Sequence, residues 1–311
     1  MYRSSRSART TGTDRSAGHR RLSLLPALPV LPALAAATAL VAGVAAPAYA
    51  AEPVPAVPAP ATPDAVAPVA EGRPGFHPDR DFAGSTVASH EGRGTAPSAS
   101  LAVTQTPGLD VSSYQGNVNW SSVAADGARF AYVKATEGTG YTNPSFAQQY
   151  NGSYNAGLVR GAYHFALPNT SSGATQAAYF VSHGGGWSAD GRTLPPALDI
   201  EYNPYGATCY GLSQSAMVSW IRSFSDTVLS RTGRYPTIYT TTNWWTQCTG
   251  NYGGFGSTNP LWIARYASTV GTLPNGWGYQ TFWQFADSGT LPGDQDYFNG
   301  AADRLRALAL G

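Results

Sequence analysis

The chain has little of several residue types, and each shortage excludes a class of protein. Two cysteines in 311 residues exclude a disulfide-rich scaffold and a zinc site built from several cysteines. The five histidines show no spacing of the HExxH kind, which argues against a histidine-rich metal site. Residues 107–311 carry ten basic and eleven acidic residues, so they offer no positive surface for nucleic acid.

Aromatic residues are scarce in the first third of the chain. Residues 1–106 hold 4 of the 37 Phe, Trp and Tyr residues, whereas residues 107–311 hold the other 33. Large apolar side chains are needed to bury a sizeable core. The sequence therefore predicts one folded domain, residues 107–311, behind a long N-terminal extension.

The first 50 residues have the layout of a secretory signal. A polar, basic stretch ends at Arg21, an apolar run extends from Leu22 to about Ala46, and Ala48-Tyr49-Ala50 fits a small-x-small cleavage site. A transmembrane anchor is the alternative, but prolines interrupt the run and alanines dominate its end. We expect export by the Sec or twin-arginine route, cleavage after Ala50, and no membrane association afterwards.

Residues 51–106 are predicted to be a disordered linker, with a propeptide as the alternative. Six prolines fall within residues 51–70, and residues 71–106 are rich in Gly, Ser and Ala. Such a segment cannot bury enough apolar surface to offset the entropy lost on ordering.

In an oxidising compartment Cys209 and Cys248 are expected to form a disulfide, with two separate buried thiols as the alternative.

The folded part alternates strand and helix patterns. Eight strands are predicted, at Gly108–Ser112, Phe130–Ala135, Val159–Phe165, Pro196–Glu201, Thr237–Thr240, Leu261–Tyr266, Thr281–Phe285 and near Asp294–Phe298. Helical patterns cover Pro144–Ala156, Ser172–His183 and Ser213–Arg231. This order predicts a parallel sheet and an α/β fold: a single TIM-like β/α barrel whose later helices are irregular or missing.

Two acids stand at the end of the predicted strand Pro196–Glu201. Asp199 and Glu201 stand two residues apart, so on a strand their side chains share one face. Like charges held close together cannot both ionise freely, and the pKa of one of them rises. A protonated acid beside an ionised carboxylate is the pair that glycosidic bond cleavage requires.

Other residues near the strand ends could complete this site. Asp110 and Asp294 lie on the first and last strands, which are neighbours in a barrel. Lys134 is the only lysine in the chain and suits a buried carboxylate. Candidate surfaces for stacking on sugar rings are Tyr163, Tyr202, Tyr239, Trp262, Tyr266 and Trp283.

Seven motifs are spread over nearly the whole folded part: GLDVSSYQG (108–116), FAYVKATEG (130–138), GAYHF (161–165), ALDIEY (197–202), LWIARY (261–266), FWQF (282–285) and DQDYFNG (294–300). In these motifs and in their order, residues 107–300 resemble the glycoside hydrolase family 25 lysozymes, the Chalaropsis-type muramidases. The long Pro/Ala-rich extension has no counterpart in the family pattern, and no wall-binding repeat is present.

The resemblance implies hydrolysis of the β-1,4 bond between N-acetylmuramic acid and N-acetylglucosamine in peptidoglycan. It further implies that Glu201 is the proton donor, that Asp199 stabilises the charged intermediate, and that Asp110 and Asp294 are the other active-site acids. A secreted, monomeric enzyme without cofactor or metal is expected. The alternatives are a catalytically inactive wall-binding module and a chitinase-like glycosidase.

Overall fold

The structure, a computed structural model, describes residues 76–97 and 105–311. The predicted signal peptide and residues 51–75 and 98–104 of the predicted linker lie outside the described residues. The proposed division of the chain at residues 50 and 106 therefore stays a prediction.

Eight strands close into a barrel. Its strands and one added hairpin strand are β1 (Thr106–Val111), β2 (Phe130–Glu137), β3 (Tyr141–Thr142), β4 (Val159–Phe165), β5 (Ala197–Asp199), β6 (Thr237–Thr240), β7 (Leu261–Ala264), β8 (Phe282–Ala286) and β9 (Asp294–Phe298). The order around the barrel is β1, β2, β4, β5, β6, β7, β8, β9 and back to β1, while β3 pairs with β2 alone. The predicted barrel is confirmed.

The last strand differs from the all-parallel sheet that the sequence predicts. β9 pairs antiparallel with both β1 and β8, whereas the other barrel neighbours pair parallel. Residues 287–293 form the connection from β8, and it is too short for the crossover that a parallel strand requires. The start of β9 therefore lies at the same end of the barrel as the carboxyl ends of the other strands.

Helices cover the outside of the barrel unevenly. They are α1 (Val87–Glu91), α2 (Trp120–Ala125), α3 (Phe146–Asn155), α4 (Gly173–Ser182), α5 (Gln214–Thr232), α6 (Thr242–Thr249) and α7 (Ala302–Leu310). No helix separates β7 from β8 or β8 from β9, as expected for irregular later helices. Within residues 76–97 and 105–311, no helix is both long and apolar enough to span a bilayer.

Helix α5 shows how the sequence determines such an element. The Ser213 side chain accepts a hydrogen bond from the Ala216 amide at its start, and Gly233 ends it with φ of +76°. Its apolar stripe packs with α4 against the outer face of the sheet, and this face holds Met217, Trp220, Ile221, Phe224 and Val228.

Side chains alternate strictly across β5. Ala197 joins the apolar cluster inside the barrel, whereas Leu198 and Ile200 join the cluster between the sheet and the helices. Half of the buried residues in the inner cluster are aromatic, and α7 closes the cluster at one end with Leu305. A period of two therefore sends residues 197, 199 and 201 to the inside.

The disulfide between Cys209 and Cys248 is present, with the two Cα atoms 5.3 Å apart. It joins the loop that follows β5 to α6. Because Asp199 ends β5 and Glu201 follows two residues later, the bridge fixes the chain that leaves the candidate site.

Residues 76–97, here termed the N-terminal segment, differ from the predicted disorder. They include α1 and lie across the end of the barrel where β5 and β9 present their acids. Ala83 and Val87 are fully buried in the inner apolar cluster. The segment has too few apolar residues to fold alone, but the barrel supplies the surface against which they are buried.

Candidate active site

The two acids at the end of β5 and just after it lie on the same inward side of their backbone. Asp199 is the last residue of the strand, and Glu201 continues its alternation. Both side chains are fully buried. Leu198, before Asp199, and Ile200, between the two acids, point outward and anchor the backbone to the helical layer.

Glu201 is held by donors from the N-terminal segment. The Gly84 amide donates to Oε1 at 2.8 Å, and the Thr86 hydroxyl donates to Oε2. Burial raises the pKa of Glu201 to about 7, although these hydrogen bonds act in the opposite direction.

Asp199 has a different environment. Neither of its carboxyl oxygens has a hydrogen-bond partner among the described residues. Burial raises the pKa of Asp199 well above its usual range, and the neighbouring charge of Glu201 adds to the effect. A buried carboxyl group without donors is unfavourable to charge, so Asp199 is a candidate functional residue.

Asp110 and Asp294 face each other across the β1–β9 pair. The Gln284 amide nitrogen donates to both, at 2.7 Å to Asp110 Oδ2 and 3.0 Å to Asp294 Oδ2. Burial raises the pKa of Asp110 to about 7. Burial and then the charge of Asp110 raise the pKa of Asp294 well above its usual range.

Gln284 is one of the polar residues at the carboxyl ends of the predicted strands, but the sequence interpretation gave it no role in the site. Its side-chain oxygen accepts hydrogen bonds from the hydroxyls of Tyr239, at 2.7 Å, and Tyr266, at 3.1 Å. A glutamine on a buried strand is a weak sequence signal because glutamine also satisfies backbone groups in ordinary cores. Gln284 stands two residues after Phe282, which faces inward, and this spacing of two could have pointed to it.

Lys134 is buried and pairs with Glu137, with Nζ 2.6 Å from Oε2. The predicted buried carboxylate partner is thus Glu137. The remaining Lys134 donors reach the backbone carbonyls of Pro78, at 2.9 Å, and Asp81 in the N-terminal segment. These two carbonyl contacts put the ammonium group at the edge of the candidate site.

Four of the predicted stacking residues reach the site. The Tyr163 hydroxyl accepts from the Ala83 amide at 3.3 Å, and the Tyr266 hydroxyl donates to the Gly84 carbonyl at 3.2 Å. Tyr239 is bound to Gln284, and Tyr202 stacks on the imidazole ring of His90, with 3.9 Å between ring centroids.

The two predicted tryptophans do not reach it. Trp262 lies in the barrel interior, its ring 4.7 Å from that of Tyr132, and its indole nitrogen donates to Asp296 at 2.8 Å. Trp283 points outward, because it alternates with Phe282, and it packs against Phe285. Strand position identifies a residue near a site, but the side of the strand decides whether the residue enters it.

The site thus combines two pairs of buried carboxyl groups with tyrosine hydroxyls at the mouth of a β/α barrel. Adjacent acids with raised pKa values, one available as proton donor and one available to stabilise positive charge, are what glycosidic cleavage requires. Fold and site together define a glycoside hydrolase.

The chain belongs to the glycosyl hydrolases family 25, whose model matches residues 109–294. It is 52% identical over 208 residues to an N,O-diacetylmuramidase of a Chalaropsis species, covering 66% of this chain and 99% of that protein. It is 52% identical over 207 residues to Lysozyme M1 of Streptomyces globisporus, covering 65% of this chain and 70% of that protein. The solved muramidase structure from Acremonium alcalophilum is 61% identical with a TM-score of 0.65, covering 66% of this chain and 99% of that one.

Proposed function

We propose that this protein is a secreted lysozyme that cleaves the β-1,4 bond between N-acetylmuramic acid and N-acetylglucosamine in bacterial peptidoglycan. The observation that carries the proposal is the burial of Asp199 and Glu201 on one inward side of the backbone at the barrel mouth. The similarity to a muramidase and a lysozyme at 52% identity supports the choice of substrate.

In this proposal Glu201 donates the proton to the glycosidic oxygen. Burial and the neighbouring charge of Asp110 raise the pKa of Glu201, and the charge of Asp110 stays beside it when the N-terminal segment leaves, which favours the protonated form that this role needs. In its ionised form Asp199 stabilises the positive charge that develops on the cleaved sugar, and water then adds to that sugar while its proton returns to the Glu201 carboxylate.

Asp110 and Asp294 complete the acidic end of the groove, and Gln284 holds them in a fixed geometry. The hydroxyls of Tyr163, Tyr239 and Tyr266 and the ring of Tyr202 are proposed to contact the sugar. The Lys134 ammonium group is proposed to donate a hydrogen bond to the sugar at the edge of the site. Its donors become available when the backbone carbonyls of Pro78 and Asp81 in the N-terminal segment move away.

Export is part of the proposal. The Cys209–Cys248 bridge supports an oxidising compartment, and the basic, apolar and small-x-small order of residues 1–50 supports a cleaved signal.

The test requires a form without the N-terminal segment, because that segment lies over the acids of the site in this structure. Residues 98–104 are replaced by a protease recognition sequence of the same length, the chain is cut there, and the N-terminal piece is removed. We term the product the cut barrel. Mass spectrometry of fragments released from purified peptidoglycan identifies the sugar at the new reducing end, and we expect muramic acid.

The variant Glu201→Gln in the cut barrel should release fragments at least about 100-fold more slowly, because the amide cannot donate the proton. Asp303→Asn, an exposed change on α7, is the matched control and should retain full activity. Near-ultraviolet circular dichroism checks that both variants are folded.

Three results would contradict the proposal. Unchanged activity of Glu201→Gln rejects the acid assignment. Binding of peptidoglycan without new reducing ends indicates an inactive wall-binding module. Faster cleavage of chitin than of peptidoglycan indicates a chitinase-like enzyme.

A further inference from the structure

The candidate active site is completely covered in this structure. The exposed fractions of Asp110, Asp199, Glu201 and Asp294 are 2% or less. A glycan chain has to reach these groups before a glycosidic bond can be cleaved. The covering material is the N-terminal segment, which lies outside the stretch matched by the family model.

The segment occupies the groups that the proposed reaction needs. Gly84 and Thr86 donate to the two different oxygens of Glu201, so neither oxygen is left to meet a glycosidic oxygen. The Ala83 carbonyl accepts from Gln284 at 2.8 Å, and the Ala83 amide lies against Tyr163. The backbone of residues 83–84 thus satisfies donors and acceptors of the groove as a polar substrate would.

Contacts on both sides hold this central part in place. Upstream, Lys134 donates to the Pro78 carbonyl at 2.9 Å, and the Asp81 carboxyl group meets the Tyr205 hydroxyl. Downstream, the Tyr202 hydroxyl donates to Glu91 at 2.7 Å. The segment then leaves the groove with an ion pair between Arg93 and Asp287.

Gly84 is the point of closest fit. Its φ is +93°, which L-residues with a side chain rarely adopt. A Cβ atom there would lie 2.2 Å from the Tyr266 hydroxyl and 2.5 Å from Gln284 Oε1. No other residue type can be placed at this position without displacing the segment or the groove residues.

We propose that residues 76–97 are an intramolecular inhibitor that keeps the active site closed, and that cleavage of the chain between residues 97 and 105 activates the enzyme. The inference rests on the proposed function for its activity readout, but the docking of the segment can be tested without it.

The contacts explain inhibition by exclusion. The segment fills the groove and holds both carboxyl oxygens of Glu201, which keeps the glycan away from the acids.

The tether explains why cleavage releases the segment. A short covalent connection gives an attached segment an effective concentration in the millimolar range. After cleavage and dilution to micromolar concentration, a segment of moderate affinity dissociates. The barrel does not need the segment for its architecture, because the Chalaropsis relative aligns over 99% of its length to only 66% of this chain.

The first experiment compares the uncut full chain, the cut barrel and the uncut Gly84→Val variant on purified peptidoglycan. We expect the cut barrel to be at least about tenfold more active than the uncut chain, because the segment no longer covers its active site. The uncut Gly84→Val variant should also be at least about tenfold more active than the uncut chain, because the clash at residue 84 weakens docking by about that factor or more. Arg80→Lys is the control. Arg80 lies in the same segment, is exposed and keeps its positive charge in this variant, so the variant should stay inhibited until cut.

The second experiment adds a synthetic peptide of residues 76–97 to the cut barrel and measures binding by calorimetry. We expect the peptide to bind and to restore inhibition, the Arg80→Lys peptide to behave alike, and the Gly84→Val peptide to bind at least about tenfold more weakly.

The outcomes separate the two proposals. Equal activity of the uncut chain and the cut barrel overturns the inhibitor and leaves the lysozyme intact. A peptide that does not bind the folded cut barrel, or binds equally with valine at residue 84, also overturns it. Specific binding of the peptide to a barrel that cleaves no peptidoglycan supports the docking and rejects the proposed function.

Discussion

At the scale of single residues, the buried charges are the most constrained part of the molecule. Lys134 and Glu137 are both fully buried and form an ion pair within one strand. The unusual retention of one lysine in an arginine-rich sequence predicts a buried carboxylate partner, but it does not identify Glu137. The partner could not be named because a β-bulge between Lys134 and Thr136 changes the alternation that would otherwise separate residues 134 and 137.

Replacement of Lys134 by methionine should lower the free energy of unfolding by about 3–5 kcal/mol, because it leaves the Glu137 carboxylate buried without a counter-charge. Urea denaturation measures the change. The double variant Lys134→Met/Glu137→Gln removes the unpaired charge and should recover a large part of the loss. A single variant as stable as the parent protein would show that the ion pair has no structural importance.

At the scale of elements, the strongly patterned segments are predictable from the sequence and the short ones are not. Helices α4 and α5 have apolar stripes and serine caps, and their predicted limits agree with the structure within one or two residues. Helices α2, α6 and α7 are six to nine residues long and were not predicted, since a short helix depends on packing more than on its own propensity.

The contact between α4 and α5 depends on a glycine. A Cβ at Gly173 would lie 2.2 Å from the Trp220 carbonyl oxygen and 2.7 Å from the Phe224 amide nitrogen, both of which are backbone atoms. Gly173→Ala should therefore force the helices apart and lower the free energy of unfolding by about 1–3 kcal/mol.

Gly186→Ala is the control for that change, because residue 186 is exposed and no atom lies within 4 Å of its added Cβ. Its effect should stay within about 0.5 kcal/mol. Thermal and urea unfolding of the two variants, compared side by side, measures the difference. Equal stabilities would mean that the helix contact relaxes freely.

At the scale of the whole molecule, burying several carboxyl groups at one end of a barrel couples stability to pH. Burial raises the pKa of Asp110 and of Glu201 to about 7, so each holds its proton in the folded state at a pH where the unfolded chain has released it. The stability that such a group contributes is present in full below its unfolded pKa. That stability is lost as the pH rises through the folded pKa.

We therefore expect the free energy of unfolding to fall between pH 5 and pH 8, by up to about 1.4 kcal/mol per pH unit for each such group. His164 acts in the opposite direction, because burial lowers its pKa to about 3, but it is one group against several. Asp110→Asn keeps an acceptor for Gln284 and should flatten the slope. Parallel slopes for the two proteins would show that Asp110 is ionised in the fold throughout this range.

The sequence by itself determined the barrel, the disulfide and the inward pair Asp199 and Glu201, because apolar alternation in a buried strand leaves only one side for the acids. Tertiary structure alone decided two other features. Asp294 reaches the active-site end only because β9 runs antiparallel, since in a parallel strand the same residue would start at the opposite end. The N-terminal segment becomes ordered only because the barrel buries Ala83 and Val87, and the composition of an isolated segment cannot reveal a partner elsewhere in the chain.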